Sequence, residues 1–355
     1  MYIVLTDINN LNLNSGPTVR SSIIKKELEK KYDSIDVVVG QNTEEREKAF
    51  EVIKRKNNDY DFCYIESKVG VTRYKDTKIL YSLKSLKIKR IGIYYRDMYW
   101  AYKIKTSEGK FKNLMIPTIN SWYLKLLDKI CDVIFVQSDS FKYELLKFIP
   151  NSKVLLLPPG CDNIKVLDVH NHSILYVGEV DNRFSGIDLL LDTLKYINNE
   201  QDKVTLNIVC REEEFISNKT LLEIANSYTW INIYHNTKKN IDEIYNISSI
   251  AVIPRSGDEY TKLCLPIKLF EYISFEKPII AIDHGEVGEF IRNNQIGLTA
   301  NGNKEEFAKQ IIDLLDNADS YAFYKEQISL YKEKNLWSNR IEFIETSLTN
   351  RIIGE

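Results

Sequence analysis

The 355 residues predict an α/β chain folded as two Rossmann-like units, each built on a parallel sheet. Length is the first observation, since a single compact core seldom grows this large and two domains are expected. Pattern is the second. Short apolar runs such as Tyr2–Ile8, Ile35–Val39, Asp61–Ile65 and Ile91–Tyr95 alternate with segments of helical period, the order of a parallel sheet with crossover helices. Charge is the third. Residues 1–150 hold 27 Lys and Arg against 19 Asp and Glu, and the remainder 21 against 31, within a net charge of −2. Opposite signs on the two halves suit domains with different partners.

Taken in order, the strand Tyr2–Ile8 leads through a polar loop to Gly16 and Pro17. Pro17 opens a helix to about Tyr32, with Val19, Ile23, Ile24 and Leu28 as its apolar stripe. Gly16 lets the backbone approach a ligand, and the helix N-terminus favours an anion; a plain strand-to-helix turn is the other reading. No G-x-G-x-x-G occurs, which counts against a dehydrogenase. Thr43–Lys56 is a charged amphipathic helix. Thr72–Arg90 carries Arg73, Lys75, Lys78, Lys84, Lys87, Lys89 and Arg90 against Asp76, interleaved with Tyr74, Ile79, Leu80, Leu83 and Leu86. Such a basic helix suits an anionic membrane surface, and Lys103, Lys105, Lys110 and Lys112 extend the patch; a solvated basic face is the alternative. No nucleic-acid motif accompanies it. Ile91–Tyr95 runs into Arg96, Asp97, Met98, Tyr99 and Trp100, a charged and aromatic cluster at a strand's carboxyl end, where open α/β sheets bind ligands. Helices at Pro117–Lys129 and Asp139–Phe148 and strands at Val133–Gln137 and Val154–Leu157 complete the first half.

The second half restarts with the strand Ser173–Val177, a loop holding Gly178, Arg183 and Gly186, and the helix Ile187–Ile197. Strands follow at Val204–Cys210, Ile231–His235 and Ile250–Pro254, the last leading to Arg255. In Leu265–Ile282, Pro266 suits a first helical turn, Ile267, Phe270 and Ile273 should face the core, and Lys268 and Glu271 share another face. Lys277 and Pro278 end the helix before the strand Ile279–Ile282. A cation and a carboxylate beside a helix N-terminus fit a nucleotide-diphosphate site. Phosphate would meet Lys268 and the N-terminus, and ribose hydroxyls would meet Glu271. The same spacing also serves an ordinary solvated pair. Gly285–Gly288 starts a helix, Glu305–Leu315 is another, and Trp337–Thr349 is the last.

Pro266, Lys268, Glu271, Tyr272, Lys277, Pro278, Ile279, Ile280 and Ala281 resemble the donor-site segment of nucleotide-sugar glycosyltransferases of the GT-B fold, most closely the large retaining family with many bacterial polysaccharide enzymes. The resemblance implies two Rossmann-like domains facing across a cleft: residues 1–160 for the acceptor, 161–335 for the donor, and a helix within 336–355 returning to the first domain. It places Gly16 near the donor and likens Pro158–Asp162 to the interdomain junction. It implies that Lys268 and Arg183 hold the diphosphate and that His235 lies where relatives contact the base; Arg255 joins the donor-binding candidates. The stretch from Tyr94 to Trp100 resembles a segment of bacterial polysaccharide glycosyltransferases, so Arg96, Asp97, Tyr99 and Trp100 are acceptor candidates. Asp97 would orient a hydroxyl, and the two rings would stack on a sugar. With Asp97, Arg183 and Lys268 are the catalytic candidates. One departure stands out: where many relatives carry a first glutamate, this chain has Leu263.

No apolar run approaches the roughly 20 residues of a membrane span, and Met1–Asn10 has no basic leader. The five scattered cysteines suit reduced thiols in a cytoplasm, and the four histidines form no metal-ligand pattern. No Asp-x-Asp triplet suggests a metal, and no cofactor is expected beyond a UDP- or GDP-sugar as donor. The expectation is a cytoplasmic glycosyltransferase, peripheral at the membrane's inner face, acting on a glycan or lipid-linked glycan. A sugar-nucleotide epimerase or a catalytically silent binding subunit are the alternatives.

Overall fold

The computed structural model describes residues 1–8, 15–68, 70, 73–102, 110–167, 169–180, 185–235 and 241–349. The chain divides into two compact units, Met1–Gly160 with Trp337–Glu355, and Cys161–Leu336.

In the first unit the strands are β1 (Tyr2–Val4), β2 (Val37–Val38), β3 (Asp59–Tyr60), β4 (Cys63–Glu66), β5 (Lys87–Ile88), β6 (Ile91–Tyr94), β7 (Val133–Val136) and β8 (Val154–Leu156). Six of them form a parallel sheet in the order β2-β1-β4-β6-β7-β8, and β3 pairs with β5 apart from it. The helices are α1 (Gly16–Lys31), α2 (Thr43–Lys56), α3 (Tyr74–Ser82), α4 (Lys110–Ile130) and α5 (Asp139–Leu146). Burial on both faces explains why β6 and β7 are apolar runs without alternation; β4 is buried likewise but ends in Glu66.

The second unit has strands β9 (Ser173–Val177), β10 (Thr205–Cys210), β11 (Ile231–His235), β12 (Ile250–Ile253), β13 (Ile279–Ile282) and β14 (Gly297–Ala300). They form a parallel sheet in the order β11-β10-β9-β12-β13-β14. Its helices are α6 (Ile187–Ile197), α7 (Glu212–Ser217), α8 (Lys219–Ser227), α9 (Ile241–Ile247), α10 (Ile267–Ser274), α11 (Gly285–Asn294), α12 (Lys304–Asp316) and α13 (Ala318–Lys334). Residues of α6, α8 and α12 pack in one apolar cluster and residues of α9, α10 and α11 in another. The final helix, α14 (Trp337–Thr349), belongs to the first unit, where Phe343 meets Phe135 edge-on at 6.3 Å and Glu345 pairs with Lys31 at 2.6 Å.

Both sheets reverse strand order at one point, between β1 and β4 and between β9 and β12. Such switch points are where open α/β sheets take ligands, beyond the carboxyl ends of the strands.

The basic stretch Thr72–Arg90 is not the single helix expected. Its described part is α3, a 3-10 turn at Leu83–Ser85, and β5. Of its apolar stripe, Ile79, Leu80 and Leu83 are core residues and so not free to enter a membrane, while Tyr74 is exposed. Acids distant in sequence neutralise most of its cations: Arg73 pairs with Asp7, Lys75 with Glu44, Lys87 with Asp59, Lys89 with Asp61 and Arg90 with Asp132. Lys103 and Lys105 lie outside the described residues.

Candidate active site

At the switch point of the second unit, β12 pairs with β9 over only two residues, Ile250 with Ile174 and Ala251 with Leu175. The strands then part. The Val177 N–H, which has lost its strand partner there, donates to the Tyr272 hydroxyl oxygen at 2.9 Å. That hydroxyl in turn points to the Val252 carbonyl at 3.4 Å. A buried backbone N–H needs a partner, and here a side chain supplies it. Tyr272 rides on α10, so the same bond that caps the split fixes this helix over the switch point.

Helix α10 begins at Ile267, with Pro266 as its N-cap in an extended conformation rather than inside the first turn. Its core face is Leu269, Phe270, Tyr272 and Ile273, while Ile267 is only half-buried. Lys268 and Glu271 are half-buried on the other side. Neither makes an ion pair with a described residue. Burial pulls the Lys268 ammonium below an ordinary lysine, opposed by Glu271, Glu179 and Glu214. Burial also raises the Glu271 carboxyl, opposed by Lys268. Tyr245, whose buried hydroxyl has no formed hydrogen bond, lies beside it.

Two glycines bring the surrounding loops close. Gly186, at φ +74°, caps α6; a Cβ there would sit 2.0 Å from the Pro254 carbonyl oxygen. Gly285, at φ +55°, opens α11, and a Cβ there would sit 2.3 Å from the Lys262 carbonyl oxygen. A side chain at either position would clash and strain the backbone. Arg255 follows β12 half-buried, and its Nε is buried without a hydrogen bond. His284, which sequence reading had not singled out, lies 3.2 Å from Thr261 Oγ1, and burial lowers its pKa. His235 ends the edge strand β11, exposed, against Phe215. Leu263 is buried in the 3-10 turn Thr261–Leu263, so no carboxylate replaces the expected glutamate there. Arg183 lies outside the described residues.

In the first unit the same edge is filled with charge. Arg20, on α1 behind Gly16, pairs with Glu66 at 3.2 Å and stacks on the Tyr94 ring at 3.7 Å. Arg96 pairs with the other oxygen of Glu66. Arg46, fully buried, forks onto Asp76 at 2.9 and 3.0 Å and reaches Asp7 at 2.8 Å. Asp97 is buried and accepts the Gly70 N–H at 2.8 Å. Burial pushes its pKa up to about 6 against the pull of that N–H and of Arg96. Gly16 is the first residue of α1, which has no acid in its first turn. Tyr99 is exposed, but the stacking role given to Trp100 is corrected. Its indole is a core group, bonded to the Tyr95 hydroxyl at 3.1 Å and edge-on to Phe148 at 5.0 Å, with no free face for a sugar.

Known structures share the fold along nearly the whole chain. Sucrose-phosphate synthase from Thermosynechococcus elongatus matches with a TM-score of 0.68 at 12% identity, over 99% of this chain and 100% of that one. A glycosyltransferase from Rickettsia africae matches at 0.67 and 16%, over 99% of each. HepE of Anabaena, in complex with UDP and glucose, matches at 0.66 and 13%, over 99% of this chain and 100% of that one. The chain has the GT-B fold. Within this GT-B chain, residues 171–317 match the family described as Glycosyl transferases group 1, and they contain the whole Lys268–Glu271 site. No curated protein sequence matches significantly.

Proposed function

We propose that this GT-B chain is a glycosyltransferase that moves a sugar from a nucleoside-diphosphate sugar, UDP- or GDP-linked, to a glycan or lipid-linked glycan in bacterial surface polysaccharide or glycoconjugate synthesis. The observation that carries the reading is Lys268: a half-buried ammonium at the N-terminal turn of α10, over a sheet switch point, in no ion pair with a described residue although Glu271, Glu179 and Glu214 lie near enough to raise its pKa. A diphosphate supplies the anion of such a pair and also accepts from the unbonded N–H groups of the helix end. Glu271, one turn on, accepts from ribose hydroxyls. As the glycosidic bond to the leaving diphosphate breaks, charge grows on its oxygens, and Lys268 already stands where that charge appears. Arg183 is the second cation proposed for the diphosphate, and the UDP in the HepE complex supports a nucleoside diphosphate as donor. Retention of anomeric configuration is the outcome that the resemblance implies. In the first unit Tyr99 is the exposed acceptor candidate, while Asp97 is buried on the Gly70 N–H and Arg96 is held against Glu66. We place the work at the inner face of the cell membrane, where a lipid-linked acceptor would be met.

The buried Leu263 favours one second reading, a subunit that binds donor or glycan without transfer. A thermal-shift screen of UDP-, GDP- and dTDP-sugars, followed by donor-hydrolysis assays on the hits, tests both. A ligand that binds only the folded state raises the melting temperature. A UDP- or GDP-sugar that stabilises and is slowly hydrolysed is expected. Stabilisation without hydrolysis supports the silent subunit, and no stabilisation by any of them overturns the donor site.

A further inference from the structure

The second unit holds a buried hydroxyl to which neither the fold nor the donor chemistry has given a use. Tyr245 on α9 is 1% exposed. Its ring lies flat on Phe275, with centroids 3.9 Å apart and planes at 14°, and stands 6.1 Å from the Tyr272 ring. Phe275 follows Glu271 by four residues, and its N–H donates to the Glu271 carbonyl at 3.1 Å. A ring seated on Phe275 therefore runs along the side of α10 that carries Glu271 one turn back. The Tyr245 hydroxyl is buried with no formed hydrogen bond. Phenylalanine would keep the stack and would spare the fold an unmade bond, so packing does not account for this oxygen. The neighbouring phenol of Tyr272 shows the contrast, because the Val177 N–H donates to it at 2.9 Å.

Charge indicates what the hydroxyl acts on. Burial first, and the Glu271 carboxylate next, hold the Tyr245 phenol well above its ordinary range, with Tyr272 and Asp242 acting in the same sense. The phenol is thus a neutral donor at any pH the protein meets. Burial raises the Glu271 carboxyl and Asp162 adds to it, while Lys268 and the Tyr245 hydroxyl favour the ionised form. A carboxylate on a rotatable arm accepts well from a ribose only when a second contact fixes its plane. A neutral O–H supplies that contact and leaves the negative charge in place. We propose that Tyr245 is a positioning residue of the donor site: its O–H donates to one oxygen of the Glu271 carboxylate and leaves the other to accept from ribose hydroxyls. This rests on the ribose role given to Glu271 and adds the residue that holds Glu271 to it.

Calorimetry of UDP, GDP and pyrophosphate on the full chain tests this. Tyr245→Phe removes one oxygen and keeps the stack, so the melting temperature without ligand should hold or rise. Its affinity for the nucleotide should fall roughly three- to tenfold, as loss of one hydrogen bond predicts, and its affinity for pyrophosphate should not change. In a Glu271→Ala background the same substitution should add little, because the carboxylate that it orients is gone. The acid side gives a further readout. Without the hydroxyl, Glu271 takes up its proton at higher pH, so the fall in nucleotide affinity on acidification should move upward in Tyr245→Phe. The corresponding fall for pyrophosphate, set by the phosphates and Lys268, should stay where it is. Equal losses on nucleotide and pyrophosphate, equal losses in both backgrounds, or an unmoved acid limb would each overturn the positioning role and leave the ribose role of Glu271 standing. Nucleotide binding by Glu271→Ala at the wild-type level would overturn the ribose role itself and this inference with it, as would the failure of both UDP and GDP to bind.

Discussion

At the carboxyl edge of the first sheet, Glu66 lies between Arg20 and Arg96, and Arg46 joins Asp76 to Asp7, which also holds Arg73. At the same edge of the second sheet, Lys268 and Glu271 share a helix face, and neither forms an ion pair with a described residue. The two sheets have nearly the same strand order, so topology does not account for the difference. In the first unit the charges pair across elements, although both terminal nitrogens of Arg20 and the Nε of Arg96 are buried without a hydrogen bond. In the second, Lys268 and Glu271 act on each other through space without forming an ion pair. Similar residue types thus serve structure on the first sheet, and on the second the proposed function gives them a ligand.

Breaking the first unit's network should give the largest effect. Arg46→Met leaves Asp76 fully buried without its cation, and removal of one member of such a pair typically costs about 3–5 kcal/mol. Chemical denaturation should show that loss; a change under about 1 kcal/mol would mean that the network is dispensable, and the contrast with the second unit would weaken. Asp97 comes next, because it is the first unit's strained carboxyl. Its pKa of about 6 in the folded chain exceeds the ordinary 3.8, so the native state is favoured below the lower value and loses stability as pH rises through the higher one. Asp97→Asn should remove that loss, gaining up to about 3 kcal/mol above pH 6 and little at pH 4. A gain independent of pH would show that its carboxyl is not the source.

In the second unit the expected effect falls on binding. Lys268→Ala should weaken UDP or GDP by about 1.5–3 kcal/mol, the range of a charge-assisted hydrogen bond, while the melting temperature without ligand holds or rises. Glu271→Gln should cost about 0.5–1.5 kcal/mol with the nucleotide and nothing with pyrophosphate. Calorimetry separates the two; equal losses on both ligands would falsify the division of roles along α10.

Much of the fold was readable because its cues are local. Thr43–Lys56, Ser173–Val177, Ile187–Ile197, Ile279–Ile282 and Trp337–Thr349 have the bounds that period and breakers suggest. The short acidic helix α7, the strand β14 with its Gly297, and the mixed-faced α13 lack such cues, and α8 has only Leu221 and Ile224 on its buried face. The site was readable only where one helix carries it, as at Lys268 and Glu271. Trp100 and Tyr99 are neighbours of one type on paper, and only packing against Tyr95 and Phe148 puts one of them in the core. The acids that cancel the basic stretch come from Asp7, Glu44, Asp59, Asp61 and Asp132, which no local window joins to it. Tyr272 matched the motif, but its reason appears only when β9 and β12 separate.

That tyrosine has a consequence for how motion in the site can be followed. The Val177 amide is protected by a side chain on α10 instead of a neighbouring strand. Its proton can exchange with solvent only when α10 lifts from the sheet, whereas the amides of β12 and β13 are protected by strand pairing as well. Deuterium uptake at this one position therefore clocks the undocking of the helix that carries Lys268 and Glu271. A nucleotide held by both residues would slow that clock without altering the exchange of the strands beneath it.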